Sequence, residues 1–437
     1  MTSDTIKHIL RALRYRNYKL FFGGQSISLI GTWMQQIALG WLVYRLTNSA
    51  FLLGVIGFAS QIPTFLFASF AGVFADRYNK HKIIIITQTL AMLQAFILSV
   101  LTLTHIIQIW HIILLSFFSG LINAFDMPTR QTFVIDLIED KNDLSNAIAL
   151  NSSMFNAARL VGPTVAGFLI AALGEGLCFL VNAISYIVII IALLLMKIKP
   201  NIKKVKKEKI LEGLKEGIKY AYKFKPIRAL LLLIGLVSLT GMPYTVLMPV
   251  FAKDILHGNA NTLGFLLGAV GIGALTGALY LASRKSVLGL VRWVSKAAGI
   301  FATGLLLFSF SRNIILSFLL MVFIGFGMMM QMASTNTLLQ TIVDDDKRGR
   351  IMSLYVIAFM GTAPFGSLIA GSLASTIGAP YTVLTGGVIC LIGAIIFTIK
   401  LPTLRKYIKP IYVKLGIIPE VSDGLQSATN LRMPPNN

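Results

Sequence analysis

The sequence predicts an all-α integral membrane protein with twelve transmembrane helices, arranged as two pseudo-symmetric six-helix bundles. Its mean hydropathy is +0.77 and only 13% of its 437 residues are charged, whereas about a quarter of the residues of a soluble protein are ionisable. Its apolar residues form long runs of the roughly 20 residues that cross a bilayer as a helix. A weak repeat, offset by about 205 residues, relates the two halves of the chain.

Counting apolar runs between polar breaks gives six spans, a polar stretch and six further spans. The predicted spans lie near 18–45, 50–75, 83–104, 110–138, 143–173, 177–197, 227–253, 261–282, 291–311, 314–342, 350–376 and 379–400. The chain therefore divides into an N-terminal bundle, a linker, a C-terminal bundle and a tail, at 1–197, 198–226, 227–400 and 401–437.

Lysine and arginine predict the orientation of these spans. Of the 39 basic residues, only Arg45, Lys253 and Arg312 fall on one side of the predicted membrane, and Arg159 lies within a span. The others fall in the termini and the even-numbered connections, which the positive-inside rule places in the cytoplasm. We expect a multi-pass protein of the bacterial cytoplasmic membrane with both termini inside. The net charge of +22 thus reflects topology, and we expect no nucleic-acid partner.

The polar stretch at 198–226 admits two interpretations. It can be a cytoplasmic linker whose lysines pair with anionic lipid. Alternatively, because Glu208, Glu212 and Glu216 alternate with lysines at helical spacing, part of it can form a solvated or membrane-surface helix.

The repeat is carried by glycines and by polar residues at matching places. Gly72 corresponds to Gly277, and the segment that begins at Asp126 corresponds to the one that begins at Gln331. At an offset of 204, three glycines fall on three others: Gly162, Gly167 and Gly174 on Gly366, Gly371 and Gly378. A duplicated six-helix unit places a substrate site between its copies and works by rocking one against the other.

Between the second and third spans the chain reads GVFADRYNKHK, with Gly72, Asp76, Arg77 and Lys80 at characteristic spacing. This segment resembles the signature loop of the major facilitator superfamily, with Asn79 in place of a second glycine. The resemblance implies that Asp76 docks at the start of helix 11 and holds the cytoplasmic side closed, and a carboxylate is stabilised at a helix N-terminus. The alternative is that these charges only end a span and fix topology.

The fifth span contains Gly162, Pro163 and Gly167, in the segment RLVGPTVAG. It resembles an element of drug-exporting branches of the superfamily, with Ala166 in place of a glycine, and this favours export. The alternative is a packing kink, because neighbouring helices can satisfy the carbonyl that a proline frees.

A longer resemblance covers nearly the whole first half and, more loosely, the second. The opening from Arg11 to Gly54, together with DMPTRQTFV and NAIALNSSMFNAARLVGP, is similar to the transmembrane secretion effectors. That branch includes the enterobactin exporter and several antibiotic exporters. The resemblance implies the fold and export, and leaves the cargo open.

Asp126 and Arg159 lie deep within spans, where ionisable side chains are costly and functional by default. At 1.5 Å per residue, Asp126 and Arg159 lie at similar depths on antiparallel neighbours, and Arg130 lies one turn from Asp126. We therefore predict an Asp126–Arg130–Arg159 cluster. It either locks helix 4 to helix 5 or couples transport to protons by protonation of Asp126; direct contact with the substrate is a third possibility.

Uncharged amides in spans supply candidates for a substrate cavity, although such amides more often bond across to another helix. The candidates are Gln35, Gln36, Asn123, Gln331 and Asn336. Cys178 and Cys390 lie in apolar runs, which predicts neither a disulfide nor a metal centre.

The sequence lacks a phosphate-binding loop GxxxxGK[ST] and a HExxH motif, so we expect no ATP hydrolysis, enzymatic chemistry or cofactor. It predicts a monomeric exporter, driven by the proton motive force, of a siderophore, drug or similar amphipathic small molecule. The alternatives are a lipid or lysophospholipid transporter, an importer, or a membrane scaffold or sensor that has lost transport.

Overall fold

The structure is a computed structural model that describes residues 10–198, 210–284, 286–415 and 417; for a few helical residues, Gly72 and Asp76 among them, it describes the backbone alone. Twelve long helices run back and forth across the molecule. They are α1 (Arg16–Thr47), α2 (Ala50–Arg77), α3 (Lys80–Leu103), α4 (Ile109–Asp136), α5 (Leu144–Leu173), α6 (Glu175–Leu194), α7 (Lys225–Ile255), α8 (Ala260–Ala282), α9 (Leu290–Phe310), α10 (Ile314–Ile342), α11 (Asp346–Ile377) and α12 (Ala379–Lys414).

Eleven of these helices in the described part of the chain are long and apolar enough to cross a membrane. The remaining one is α1, whose 32 residues would extend about 48 Å at 1.5 Å per residue. Polar residues such as Gln25, Gln35 and Gln36 interrupt it, and it packs between α5 and α6 in the interior of the N-terminal half. The fold is that of a twelve-helix membrane protein.

The tail differs from the sequence prediction, and part of the linker is helical, as one of its two interpretations has it. The predicted tail at 401–437 begins as helix, because α12 continues to Lys414. Residues Ile210–Lys223, within the predicted linker, form a helix, which we call the linker helix. It packs on the C-terminal half, where Glu216 pairs with Arg350 at 2.5 Å and the Tyr220 hydroxyl donates to Asp344 at 3.2 Å. Residues 199–209 of the predicted linker and residues 418–437 of the predicted tail lie outside the described residues.

The predicted repeat is visible in how matched glycines pack. A Cβ at Gly162 of α5 would lie 2.5 Å from Trp33 of α1, and one at Gly366 of α11 would lie 2.4 Å from the Leu239 carbonyl of α7. Because α5 and α1 correspond to α11 and α7, the two glycines occupy equivalent places. Gly174 and Gly378 both have positive φ, at 82° and 85°, and each ends one helix and begins the next.

The halves meet mainly toward one end of the molecule. We call the end at which α1 begins the inner end and the end at which α1 finishes the outer end. Across the halves, α2 packs along Ala363–Ile377 of α11, and α5 packs along α8. Because Ala363–Ile377 is the outer part of α11, the contact with α2 is concentrated at the outer end. We call the region between the halves that lies inward of this contact the central space.

Candidate functional site

Asp126 lies at the centre of a polar cluster that belongs to the N-terminal half alone. Its side chain, 4% exposed, accepts hydrogen bonds from the Thr87 hydroxyl at 2.9 Å and the Gln88 amide at 2.8 Å. The Arg130 guanidinium lies 3.4 Å from its second oxygen. Thr87 and Gln88 hold α3 against α4, Arg130 pairs with Asp126 along α4, and the carboxylate has the hydrogen bonds that a buried charge requires.

Arg159, predicted as the third member of this cluster, lies apart from it. It stands midway along α5, and its guanidinium points toward the C-terminal half. There it donates to the sulfur of Met328 at 3.4 Å and lies 5.9 Å from the ring centre of Trp33. The structure therefore replaces the predicted cluster with an Asp126–Arg130 pair and a separate Arg159. Equal depth on two neighbouring helices does not fix the direction in which each side chain points.

Gln35 is buried in an amide chain rather than facing the predicted substrate cavity. Its amide donates to the Gln94 carbonyl oxygen at 2.9 Å, and its own carbonyl oxygen accepts from Asn182 at 2.7 Å. Gln94 in turn donates to the Leu115 carbonyl at 3.3 Å. The chain joins α1, α3, α4 and α6, so Gln35 is a bond between helices.

The C-terminal half buries polar groups of a different kind. Gln331 on α10, which the repeat matches to Asp126, is 1% exposed, and neither end of its amide finds a partner among the described residues. The same holds, within that part of the chain, for the hydroxyls of Ser334, Thr335 and Tyr244. Buried polar atoms without partners are rare in folded proteins and call for an explanation.

The other predicted cavity residues have mixed surroundings. Gln36 is exposed and lies between Trp33 and Gly40 on the face of α1 that contacts α5 and α7, so it faces the central space. Asn123 is also exposed. Asn336 is half-buried and accepts a hydrogen bond from Gln340, one turn away.

Glycine pairs let the halves approach closely at the outer end. A Cβ at Gly371 of α11 would lie 2.7 Å from the Cα atom of Gly54 on α2, and one at Gly264 of α8 would lie 2.8 Å from the Cα atom of Gly167 on α5. The two pairs are equivalent under the repeat, and together they form what we call the outer seam. The Gly162-Pro163-Gly167 element thus lies where α5 contacts α1 and α8.

Polar contacts close the outer seam at its edge. The Tyr44 hydroxyl of α1 donates to the Asp254 carboxylate at the end of α7. Lys253 donates to the Asn48 side chain at 2.6 Å and lies 5.5 Å from the ring centre of Tyr44. We call these four residues the outer latch. These contacts were not predicted from the sequence, although Lys253 and Asp254 form a charged pair at the end of an apolar span.

The signature loop makes one ion pair in the described part of its chain. Lys80 pairs with Asp136, the last residue of α4, at 2.7 Å, so it joins two helices of the same half. Arg77 is exposed at the end of α2. The structure describes only the backbone of Asp76, so docking of Asp76 at α11 stays a prediction.

Ion pairs at both ends of the N-terminal half were also missed by the sequence analysis. At the outer end, Arg45 pairs with the buried Glu175 through two contacts of 2.7 and 3.1 Å. At the inner end, Arg11 and Arg14 pair with Asp143 at 3.1 and 2.7 Å. Among the described residues, no three His, Cys, Asp or Glu side chains come together as metal ligands.

Known proteins of this architecture are transporters. The chain superposes on a bacterial homologue of the human lysosomal transporter Spinster with a TM-score of 0.70 and 13% sequence identity. The match covers 90% of this chain and 98% of that one. The chain also superposes on a bacterial homologue of the iron transporter ferroportin, with a TM-score of 0.67 and 17% sequence identity. That match covers 88% of this chain and 98% of the other. At these identities the likeness shows the fold alone.

Sequence comparisons identify the family. The chain is 29% identical to a staphyloferrin A transporter of Staphylococcus aureus over 82% of this chain and 90% of that protein. It is 26% identical to the multidrug efflux pump Tap of Mycolicibacterium fortuitum over 85% and 92%, and 22% identical to macrolide efflux protein A of Streptococcus pyogenes over 88% and 96%. The family model of the transmembrane secretion effectors matches residues 9–410. The chain belongs to the transmembrane secretion effector family of major facilitator transporters.

Proposed function

We propose that this transporter exports a siderophore, a drug or a similar amphipathic small molecule from a bacterial cytoplasm by alternating access. The observation that carries the proposal is the position of the outer seam. The halves contact through glycine pairs and the outer latch, while polar side chains from both halves border the space between them. Relatives that bear the names of a siderophore transporter and of efflux pumps support the cargo class and the direction.

Alternating access requires the outer seam to open as the inner ends close. The residues that would separate are the outer latch and the two glycine pairs, and the contacts that would form include docking of Asp76 at the start of α11. Because each half satisfies most of its polar groups internally at the outer end, as Arg45 and Glu175 do, each can move as a body.

Asp126 is the candidate for proton coupling. Among the described residues it is the only acid that lies more than two turns from both ends of its membrane helix. Protonation would remove the charge that pairs with Arg130 and accepts from Thr87 and Gln88, and it would thereby alter the contact between α3 and α4. A purely structural role as a lock between helices is the competing interpretation.

Vesicles with an imposed pH gradient separate these roles. Asp126→Asn keeps the shape of the side chain and removes its charge. If Asp126 couples transport to protons, this variant loses gradient-driven accumulation in everted vesicles but retains exchange of labelled for unlabelled cargo. Full gradient-driven accumulation by Asp126→Asn would exclude the coupling role.

The cargo is best found by comparing a deletion strain with its parent. Metabolites inside the cell and in the medium would be measured with and without iron limitation, and drug sensitivity would be tested in parallel. Export predicts that one compound accumulates inside, or that sensitivity rises, and that the chain restores both. Activity with cargo offered only in the outer leaflet would instead indicate a lipid transporter or importer, and mislocalisation of a partner protein without either change would indicate a scaffold.

The distribution of basic residues indicates how the protein is oriented in the membrane. The inner end carries most of the basic residues, so we propose that it is cytoplasmic, with both termini inside a bacterial cytoplasmic membrane. We propose a monomer, because the substrate site lies between the two halves of one chain.

A further inference from the structure

We infer that Arg159 is an anion-binding subsite at the centre of the molecule and that the exported cargo carries a carboxylate or similar anionic group when it crosses. This inference rests on the proposed function, since it specifies the cargo of that transporter. Four residues carry it, and they come from both halves: Trp33 and Arg159 from the N-terminal half, and Tyr244 and Met328 from the C-terminal half.

Among the described residues, Arg159 has no counter-ion in the membrane interior. Asp126 already pairs with Arg130. The C-terminal half has its described acids at helix ends only, at Asp254 and in the connection before α11. A guanidinium stays charged at any physiological pH, so the central space has a net positive charge.

The partners that Arg159 does have are weak ones. A thioether sulfur is a poor acceptor, and the Trp33 ring lies at 5.9 Å, near the limit of a cation–π contact. A charge held by such partners in a membrane interior is costly. A bound anion would replace the Met328 contact with a charge-assisted pair, which arginine can make through two parallel hydrogen bonds.

The C-terminal half offers donors to the same anion. Tyr244 is buried, packs edge-on against Phe301 and lies within electrostatic range of Arg159. Its hydroxyl has no partner within the described chain and is free to donate. Gln331 lies one turn from Met328 on α10, with an equally unpartnered amide. An anion would thus satisfy groups that the protein leaves unsatisfied.

The surroundings specify the rest of the cargo. Trp33 packs edge-on against Phe155 beside Arg159, and the Met328 side chain at Arg159 is a deformable apolar contact. A ligand that fits both features combines an anionic group with an aromatic or apolar portion. Because Arg159 and Tyr244 belong to different halves, such an anion would bridge them, so its binding would favour the state in which the centre is assembled.

Trp33 supplies a direct probe of this subsite. Replacing Trp41, Trp110 and Trp293 by Phe leaves Trp33 as the sole tryptophan of the chain. The purified protein would be titrated with phenylsuccinate, an aromatic dicarboxylate, and with its dimethyl ester, which has the same shape without the charge. We expect a saturable change in Trp33 emission with phenylsuccinate and none with the ester.

Variants assign that change to Arg159. Arg159→Gln should weaken phenylsuccinate binding about tenfold or more, because it removes a charge-assisted pair. Arg159→Lys should bind phenylsuccinate more weakly than the parent and more tightly than Arg159→Gln, since it keeps the charge and loses the planar fork. Lys19→Gln, which removes an exposed charge at the start of α1, should match the parent. Retention of binding by Arg159→Lys shows that the site is folded.

Three results would overturn the inference: no saturable binding of phenylsuccinate, equal affinity for the diester, or an affinity that Arg159→Gln leaves unchanged. Each can occur while everted vesicles still show export, in which case the proposed function stands and the anionic cargo does not. Conversely, binding that depends on Arg159 without export in vesicles would leave the subsite in place and remove the proposed direction.

Discussion

Asp126 and Gln331 occupy matching places in the two halves, yet their surroundings are opposite. Asp126 has three side-chain partners, all from its own half. Gln331 is as deeply buried, and its side-chain amide makes no hydrogen bond within the described chain. The matched glycines, in contrast, still pack alike, as Gly167 and Gly371 do. The two halves have therefore kept the packing of their matched glycines and lost polar equivalence at Asp126 and Gln331. Buried polar atoms without a partner in the described chain occur in both halves, at Gln25 and Ser116 as well as at Gln331.

The largest expected effect is on the packing that the halves share. Gly371→Val and Gly264→Val each place a side chain against a glycine backbone of the other half, so the outer seam cannot close. Because the two positions are equivalent, we expect both variants to lose transport by more than about tenfold, since a clash with backbone cannot be relieved by a rotamer change. Transport in everted vesicles measures the loss.

Gly299→Val on α9 is the matched control, because nothing lies within 4 Å of a Cβ at that position. It should transport like the parent. A large loss in only one of the two seam variants would show that the halves are not equivalent in their packing.

The next largest effect is a loss of stability when the Asp126–Arg130 pair of the N-terminal half is broken. Asp126→Ala leaves the half-buried Arg130 without its counter-ion, and breaking such a pair by removing one partner costs about 3 kcal/mol. We expect a clearly lower midpoint of thermal unfolding in detergent. Double replacement by Asp126→Leu and Arg130→Met should recover much of the loss, because two apolar residues leave no unpaired charge. If Asp126→Ala alone is as stable as the parent, the Asp126–Arg130 pair does not stabilise the N-terminal half.

The smallest effect is predicted for a pair of identical substitutions. Gln35→Leu breaks the amide chain and leaves the Gln94 carbonyl oxygen and the Asn182 amide nitrogen without the partners they have in Gln35, at a cost of about 1–3 kcal/mol. Gln331→Leu removes an amide that bonds to nothing described, so it should be neutral or slightly stabilising. Thermal unfolding of the two variants side by side measures the difference, and equal losses would remove the contrast between the halves.

The sequence was sufficient for features that depend on periodicity and composition. Span count, the offset between halves and the glycines at Gly167 and Gly371 follow from apolar runs and small residues at fixed spacing. It was insufficient where the direction of a side chain around its helix matters. Depth alone placed Arg159 beside Asp126, although it points toward Met328. The presence of an amide in a span placed Gln35 in a cavity, although it bonds to Gln94. Such partners depend on how helices rotate in the bundle, which spacing within one helix does not determine.

The proposed exchange between an outer-closed and an outer-open state is tested most directly by distances at both ends. Spin labels would be placed after replacing the buried Cys178 and Cys390 by Ala, as an outer pair at His105 and Ser375 and an inner pair at Ser152 and Ser283, all exposed positions. In nanodiscs, loosening the outer latch with Tyr44→Phe and Asp254→Asn should lengthen the outer distance and shorten the inner one in the same fraction of molecules. Unchanged distances at both ends, or a change of the same sign at both, would contradict alternating access.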